Sequence, residues 1–375
     1  MTFDVDDELE DLRRSVRRFL ADKAPSEDVR RVMDGPDGHD PAVWEQMAGQ
    51  LGLPAIALPE EYGGLGYGAG ELVIVLEELG RALSPEPFLS SVALAGRALA
   101  TSGDADAAAR WLPGIADGSL IAALAVSEQG RDWTLDGIDT RAEPTADGYA
   151  ITGVKTFVIG GERADLLLVA ATDGDGLALY AVEPDETVTR TRPAVLDPTR
   201  RLARIEFAAT PASRVRAPAG HLREVLDLAV IAVAAEQVGG ARRCLEMAVE
   251  HAKVRVQFGR PIGSFQAIKH RCADLLVEVE AARSALQHAA ALAADRDGTD
   301  PGDLAVAAAV CGAWCGQAYT RVAKETIQIH GGVGYTWEHD AHLYLKRAKS
   351  SELLFGSPAA HRARLADLAG IGGRG

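Results

Sequence analysis

The stretch richest in usable chemistry is Arg255-Val-Gln-Phe-Gly-Arg-Pro-Ile-Gly-Ser-Phe-Gln-Ala-Ile-Lys-His270. Its pattern predicts a helix that ends at Gly259, a break at Pro261 and a new helix from near Ser264. Two helix ends then meet, with Arg255 on a last turn and the amide donors Gln257 and Gln266 alongside. An arginine is a fixed fork matched to phosphate oxygens, so such a corner can hold a diphosphate. A surface arginine at a helix-turn-helix corner is the plainer alternative. Among carboxylates, Glu236 has the small or apolar neighbours Ala234, Ala235, Val238, Gly239 and Gly240, a setting that can raise a carboxyl pKa. Helix pairing is its plainer use. His339 and His342 could suggest a metal, but no third ligand is close in sequence and they read as solvated helix residues. Cys311 and Cys315 share a helix face and read as small core residues. The glycines of Pro59-Glu-Glu-Tyr-Gly-Gly-Leu-Gly66 do not fit G-x-G-x-x-G, and no strand precedes them, so a nucleotide loop is rejected there.

These groups must be carried by elements, and the hydrophobic period supplies them. Leu9, Leu12, Val16, Phe19 and Leu20 make one apolar stripe of a helix. Trp44, Met47 and Leu51 continue the pattern to Gly52, and a further helix runs over 71–83. Near residue 120 the period drops to about 2. Strands are predicted over 122–126, 149–159, 165–171 and 177–182, with Asp147-Gly148 and Asp173-Gly-Asp-Gly176 as turns. Pro193, Pro198, Pro211 and Pro218 are read as the close of the β segment. Long alanine-rich helices follow over 221–256, 265–294 and 304–330, with a polar break over 295–302. Gly331, Gly332 and Gly334 stop the third, and another helix starts near Asp340. The order predicts an α+β chain: a helical domain over 1–120, a β domain over 121–218 and a helical bundle over 219–375.

Bulk properties narrow the function classes. The chain has 375 residues and a net charge of −15, from 39 basic and 54 acidic side chains. No broad basic surface is left to displace counterions, so nucleic acid is not an expected partner. The longest clean apolar run, 304–316, is too short to span a bilayer. The acidic, amphipathic amino terminus does not read as a signal peptide. Four cysteines in so long a chain do not make a disulfide framework, and a cytoplasmic location is expected.

Three strings in order carry a resemblance. The Arg255 stretch, Pro59-Glu-Glu-Tyr-Gly-Gly-Leu-Gly66 with Glu77-Glu-Leu-Gly-Arg81, and Gln328-Ile-His-Gly-Gly-Val-Gly-Tyr335 closely resemble the signatures of acyl-CoA dehydrogenases. The resemblance covers about residues 5 to 365. It implies that family's fold: a helical domain, a central β domain and a C-terminal four-helix bundle that oligomerises, most simply as a tetramer. It also implies FAD as cofactor, an acyl-CoA substrate and an electron-transfer flavoprotein as acceptor, in fatty-acid or sterol side-chain β-oxidation. By the same resemblance Arg255 reaches the FAD pyrophosphate of a neighbouring subunit. Gln257, Phe258, Phe265 and Gln266 line that site, and Gln328, Gly331 and Gly332 lie on the adenine side. Ser127 offers a hydroxyl to the flavin, and Phe157, Val158 and Ile159 take the place of the Trp-Ile-Thr element beside the ring.

Departures from the family pattern divide the functional reading. Gln129-Gly-Arg-Asp-Trp133 replaces the usual Pro-Gly-Ala-Gly-Ser-Asp loop, and Ile159 replaces a threonine. The family's glutamate base, which takes the α-proton, falls on Phe355 here, and the alternative base position falls on Ala229. Glu236 is the leading substitute, with Asp227 and Glu352 behind it. One reading is an acyl-CoA dehydrogenase making 2-enoyl-CoA. The other is a catalytically reduced subunit that completes a partner's flavin site, as in heterotetrameric enzymes of bacterial sterol breakdown. A flavin oxidase or monooxygenase on the same fold is a third.

Overall fold

The computed structural model describes residues 7–130, 133–295 and 298–371. In chain order it gives helices α1 (Asp7–Lys23), α2 (Ser26–Asp34), α3 (Pro41–Leu51) and α4 (Ala69–Arg81). A π-helical stretch over Leu89–Gly96 continues into α5 (Arg97–Ala100), and α6 (Ala105–Ala116) follows. Strands β1 (Ala122–Ala125), β2 (Arg141–Thr145), β3 (Gly148–Ile159), β4 (Leu166–Asp173), β5 (Gly176–Val182), β6 (Val188–Thr191) and β7 (Leu202–Val215) come next. The remainder is α7 (His221–Val254), the two-residue strands β8 (Val256–Gln257) and β9 (Arg260–Pro261), α8 (Gln266–Ala294), α9 (Pro301–His330), α10 (Ala341–Ser351) and α11 (Pro358–Leu368). Two compact units result: Met1–Val29 with Val73–Ser84 and Val230–Gly375, and Arg30–Leu72 with Pro85–Ala229.

The first unit is helical, and its helices approach closely where side chains are absent. A Cβ on Gly80 of α4 would lie 2.2 Å from the Glu236 carbonyl oxygen, and one on Gly239 of α7 would lie 1.8 Å from that of Glu77. Backbone therefore meets backbone at this crossing, which glycine alone permits. Beside it Arg13, on the buried face of α1, donates to Glu77 and Glu78, and Arg17 adds two bonds to Glu78. Arg81 pairs with Glu246 at 2.5 Å. The Glu77-Glu-Leu-Gly-Arg81 string is thus explained as a helix-crossing device. Helix α9 packs against α8, α10 and α11, with Cys311 and Cys315 buried.

In the second unit the sheet closes on itself through the pairings β4–β2–β3–β7–β5–β4, with β1 parallel to β4 and β6 beside β7. Ile151, Val158, Leu167, Val169, Tyr180, Val182, Ile205 and Phe207 fill it. The Asp147-Gly148 and Asp173–Gly176 turns form as their residues dictate, joining β2 to β3 and β4 to β5. The prolines do not all close the β segment: β7 runs between Pro198 and Pro218 and includes Pro211. Pro211 is tolerated because β7 pairs with β6 over 204–207 and with β5 over 213–215, leaving one side of the strand open between. Ala203, Ile205 and Phe207 alternate with Arg204 and Glu206, and that period was the signal for the strand.

Candidate functional site

The Arg255 stretch folds differently from the helix corner its sequence suggests. Helix α7 ends at Val254, and β8 and β9 form a small hairpin pairing Val256 with Pro261 and Gln257 with Arg260. Phe258 (φ 54°) and Gly259 (φ 76°) make its tip in the left-handed region. That turn type suits a two-residue hairpin and explains why the helix stops short of the glycine. Phe258 is 90% exposed, its ring 6.1 Å from that of Phe265, and the Arg260 guanidinium covers Phe265 at 4.2 Å. Arg255, Gln257 and Gln266 are exposed and Phe265 is half-buried. No carboxylate among the described residues pairs with Arg255, whose backbone N–H donates to the His251 carbonyl. The result is a projecting arm with a cation and amide donors on it.

The other predicted nucleotide segment lies next to this arm in the same unit. Gln328 is exposed near the end of α9, and Gly331 (φ 67°) ends the helix by donating to the Gln328 and Ile327 carbonyls. Gly331 and Gly332 have open space where a side chain would be. His330, the last residue of α9, lies 4.3 Å ring to ring from His251 on α7, which brings the turn and the arm together. His342 is not a solvated helix residue as its sequence suggests. It is buried and stacked on Trp337 at 4.9 Å, because Trp337 folds over the start of α10.

In the second unit, Ser127 follows β1 and its hydroxyl is buried without a hydrogen-bond partner. Sequence reasoning missed Thr156, whose own buried hydroxyl is likewise without a partner and whose N–H donates to the Ser127 carbonyl at 2.8 Å. Two buried unmatched hydroxyls on backbone-paired residues are each open to a polar ligand. Register slips in β3 between Lys155 and Val158, and Phe157 takes φ 54°. The bulge leaves Phe157 half exposed, whereas Val158 points into the sheet core and Ile159 is buried. Of that element, only Phe157 is therefore available at the surface. A buried brace holds the segment. Lys155 Nζ donates to the Val126 carbonyl at 3.1 Å and to Glu128 at 2.7 Å, and Glu128 also accepts from Thr140 Oγ1 at 2.6 Å and Asp139 N at 2.7 Å. Burial pulls the Lys155 ammonium down to about 8 against the pull of Glu128. Burial pushes the Glu128 carboxyl up, but the bonds from Lys155, Thr140 and Asp139 outweigh it and hold the group at about 2. Loop residues 131 and 132 lie outside the described residues.

The base positions carry no proton acceptor. Phe355 is buried with φ 60°, and Ala229 is buried in the second unit, as is Asp227. Glu236 is buried too, but its wall includes a cation that its sequence neighbours do not announce: Oε2 lies 3.8 Å from Nη1 of buried Arg347. Next to it Gln237 donates to the Ser351 carbonyl at 3.0 Å, tying α7 to α10. Glu352 accepts from Thr320 and Lys349 at 3.0 and 2.6 Å.

Comparison with known proteins places the chain in a lineage. A family model described as acyl-CoA dehydrogenase, N-terminal domain, matches residues 6–119, and one described as acyl-CoA dehydrogenase, C-terminal domain, matches residues 221–369. Acyl-CoA dehydrogenase IpdE2 of Mycolicibacterium smegmatis is 35% identical over 361 residues, covering 96% of this chain and 98% of that one. A variant of the Tcur3481-Tcur3483 steroid ACAD superposes with a TM-score of 0.89 at 33% identity over 98% of each chain. The ChsE4-ChsE5 complex from Mycobacterium tuberculosis does so at 0.90 and 31% over 99% of each.

Proposed function

The chain belongs to the acyl-CoA dehydrogenase family, and from that premise we propose that it is the supporting subunit of a heteromeric, FAD-dependent acyl-CoA dehydrogenase. The observation that carries this is a division within the chain. The arm with Arg255, Gln257 and Phe258 is whole and exposed, while both base positions hold side chains that cannot accept a proton, Phe355 and Ala229. Likeness to a two-component steroid ACAD and to the ChsE4-ChsE5 complex supports a homologous partner and a sterol-derived acyl-CoA thioester.

The residues present fit the cofactor unevenly. Arg255, Gln257, Gln266 and the Gln328–Gly332 turn suit its diphosphate and adenine, with the guanidinium giving charge-assisted bonds to phosphate oxygens. Ser127 and Thr156 keep unmatched hydroxyls for a polar ring. The chemistry FAD supplies when bound is acceptance of the β-hydrogen of the thioester as hydride, with an electron-transfer flavoprotein downstream. The α-proton acceptor in this reading comes from the partner. This chain binds and orients the nucleotide, and we assign the complex to the cytoplasm. Among the described residues no helix is long and apolar enough to cross a membrane.

A second reading, a dehydrogenase complete in itself, has buried Glu236 as its base. Purifying the chain alone, and together with a homologous partner, separates the two. The expected result is turnover of acyl-CoA and flavin retention in the complex alone. A lone chain that holds FAD and dehydrogenates an acyl-CoA would overturn the supporting-subunit reading.

A further inference from the structure

Strand β1 pairs with β4 only as far as Ala125, so Val126, Ser127 and Glu128 have left the sheet although all three are buried. Buried backbone outside a ladder still needs partners. The carbonyls of Val126 and Ser127 find theirs on two neighbouring residues of β3. Lys155 Nζ donates to Val126 at 3.1 Å, and the Thr156 N–H donates to Ser127 at 2.8 Å. Thr156 can do so because the bulge after Lys155 takes it out of the β7 ladder.

Lys155 also reaches the residue on the far side of Ser127. Its Nζ donates to Glu128 Oε1 at 2.7 Å, so one fully buried ammonium holds the residues before and after the serine. Glu128 is anchored in turn, accepting from Thr140 N at 3.0 Å, Thr140 Oγ1 at 2.6 Å and Asp139 N at 2.7 Å. Burial pulls the Lys155 ammonium only to about 8, so it remains charged at neutral pH. The segment is thereby fixed through the Val126 carbonyl, the Ser127 carbonyl and the Glu128 carboxylate. The Ser127 hydroxyl takes no part: it is buried and has no hydrogen-bond partner.

A buried ion pair returns little net stability, because desolvation of both charges offsets their attraction. Holding one geometry is a use such a pair serves better. Here the geometry held is that of a serine whose own polar atom is left over. Were the segment free to shift, that hydroxyl could relax onto a backbone acceptor nearby, as serines do. The grip of Lys155 denies it that. An unmatched buried hydroxyl is costly, and a ligand that bonds it recovers the cost.

We infer that Lys155 is a positioning residue of the flavin site, gripping both neighbours of Ser127 so that the serine hydroxyl is kept for the ligand. The inference rests on the proposed function, which puts the cofactor at Ser127. Lys155 is fully buried and acts through the serine, with no contact of its own to the cofactor. Its removal therefore costs the site what the serine hydroxyl contributes, and no more.

A double-mutant cycle on the assembled complex at neutral pH tests this. Equilibrium dialysis reads flavin retention, and absorption spectroscopy reads the position of the visible band of the bound flavin. Ser127→Ala should weaken retention about three- to tenfold and shift the band. Lys155→Met, which keeps the stem and loses the donor, should give a loss and a shift of the same size. Added to Ser127→Ala, it should lower retention by less than a further factor of about two and leave the band where it is. Lys155→Met with Glu128→Gln, which strands no buried charge, should behave like Lys155→Met and replaces it where that variant does not fold. A Lys155 effect that persists in full beside Ser127→Ala would overturn the inference alone, as would a folded Lys155 variant with retention and band unchanged. Ser127→Ala without effect on either readout would overturn it together with the placing of the cofactor at Ser127.

Discussion

Arg255 stands on an exposed hairpin arm, where a guanidinium can meet phosphate oxygens without first breaking an ion pair of its own. Arg255→Ala should weaken flavin retention in the assembled complex by about 1.5–3 kcal/mol, roughly ten- to a hundredfold. Equilibrium dialysis or released-flavin absorbance checks it, and unchanged retention in a folded complex would remove Arg255 from the site. Glu236 belongs to a different economy. Its carboxylate faces Arg347 in a buried setting, so Glu236→Gln should cost about 1–3 kcal/mol of stability by removing one ionic contact of that cation. Activity of the complex should stay within about twofold, since the α-proton goes elsewhere in the proposed reading. A loss of activity far beyond any loss of folded protein would make Glu236 the base instead.

At the scale of elements, two joints are exposed to test. The α4–α7 crossing leaves no room for a methyl group at Gly239. Gly239→Ala should destabilise the chain by about 3 kcal/mol or more through forced helix separation, visible as a lower denaturation midpoint. A neutral substitution would show that the helices can part at no cost. The second joint is the brace of β3 to the segment after β1. Glu128 is held at about 2 against an ordinary 4.5, so the native state binds fewer protons than the unfolded one between those values. Its contribution is present above pH 4.5 and is lost as pH falls toward 2. Glu128→Gln should cost about 3 kcal/mol near neutrality. The gap to wild type should close across that acid window in pH-dependent denaturation. A gap that is constant with pH would deny the brace its ionic character.

For the whole molecule, the bundle leaves apolar side chains in water. Leu276 and Val277 of α8 are 49% and 68% exposed, and Trp314 of α9 is 42% exposed beside Val306 and Val310 on the same helix. A helix with apolar residues on more than one face needs a cover on each. The expected assembly is a tetramer, with light scattering at micromolar concentration as the check and a stable monomer as the contrary result.

Local rules legible in the sequence decided most of the elements. The long C-terminal helices fall within a few residues of their periodic stretches, because apolar period and capping residues act locally. The turns at 147–148 and 173–176 follow from glycine and aspartate in the same way. Motif order was enough to indicate the family. Tertiary structure alone decided what depended on distant partners. It turned Arg255 through Phe265 into a hairpin arm, threaded β7 through a proline-bearing stretch, and set Arg347 against Glu236. It also gathered His251, His330 and His339 from three separate elements into one column. A residue's own neighbours set its backbone preference. What its side chain meets is set by chain returning from far away, and no local period records that.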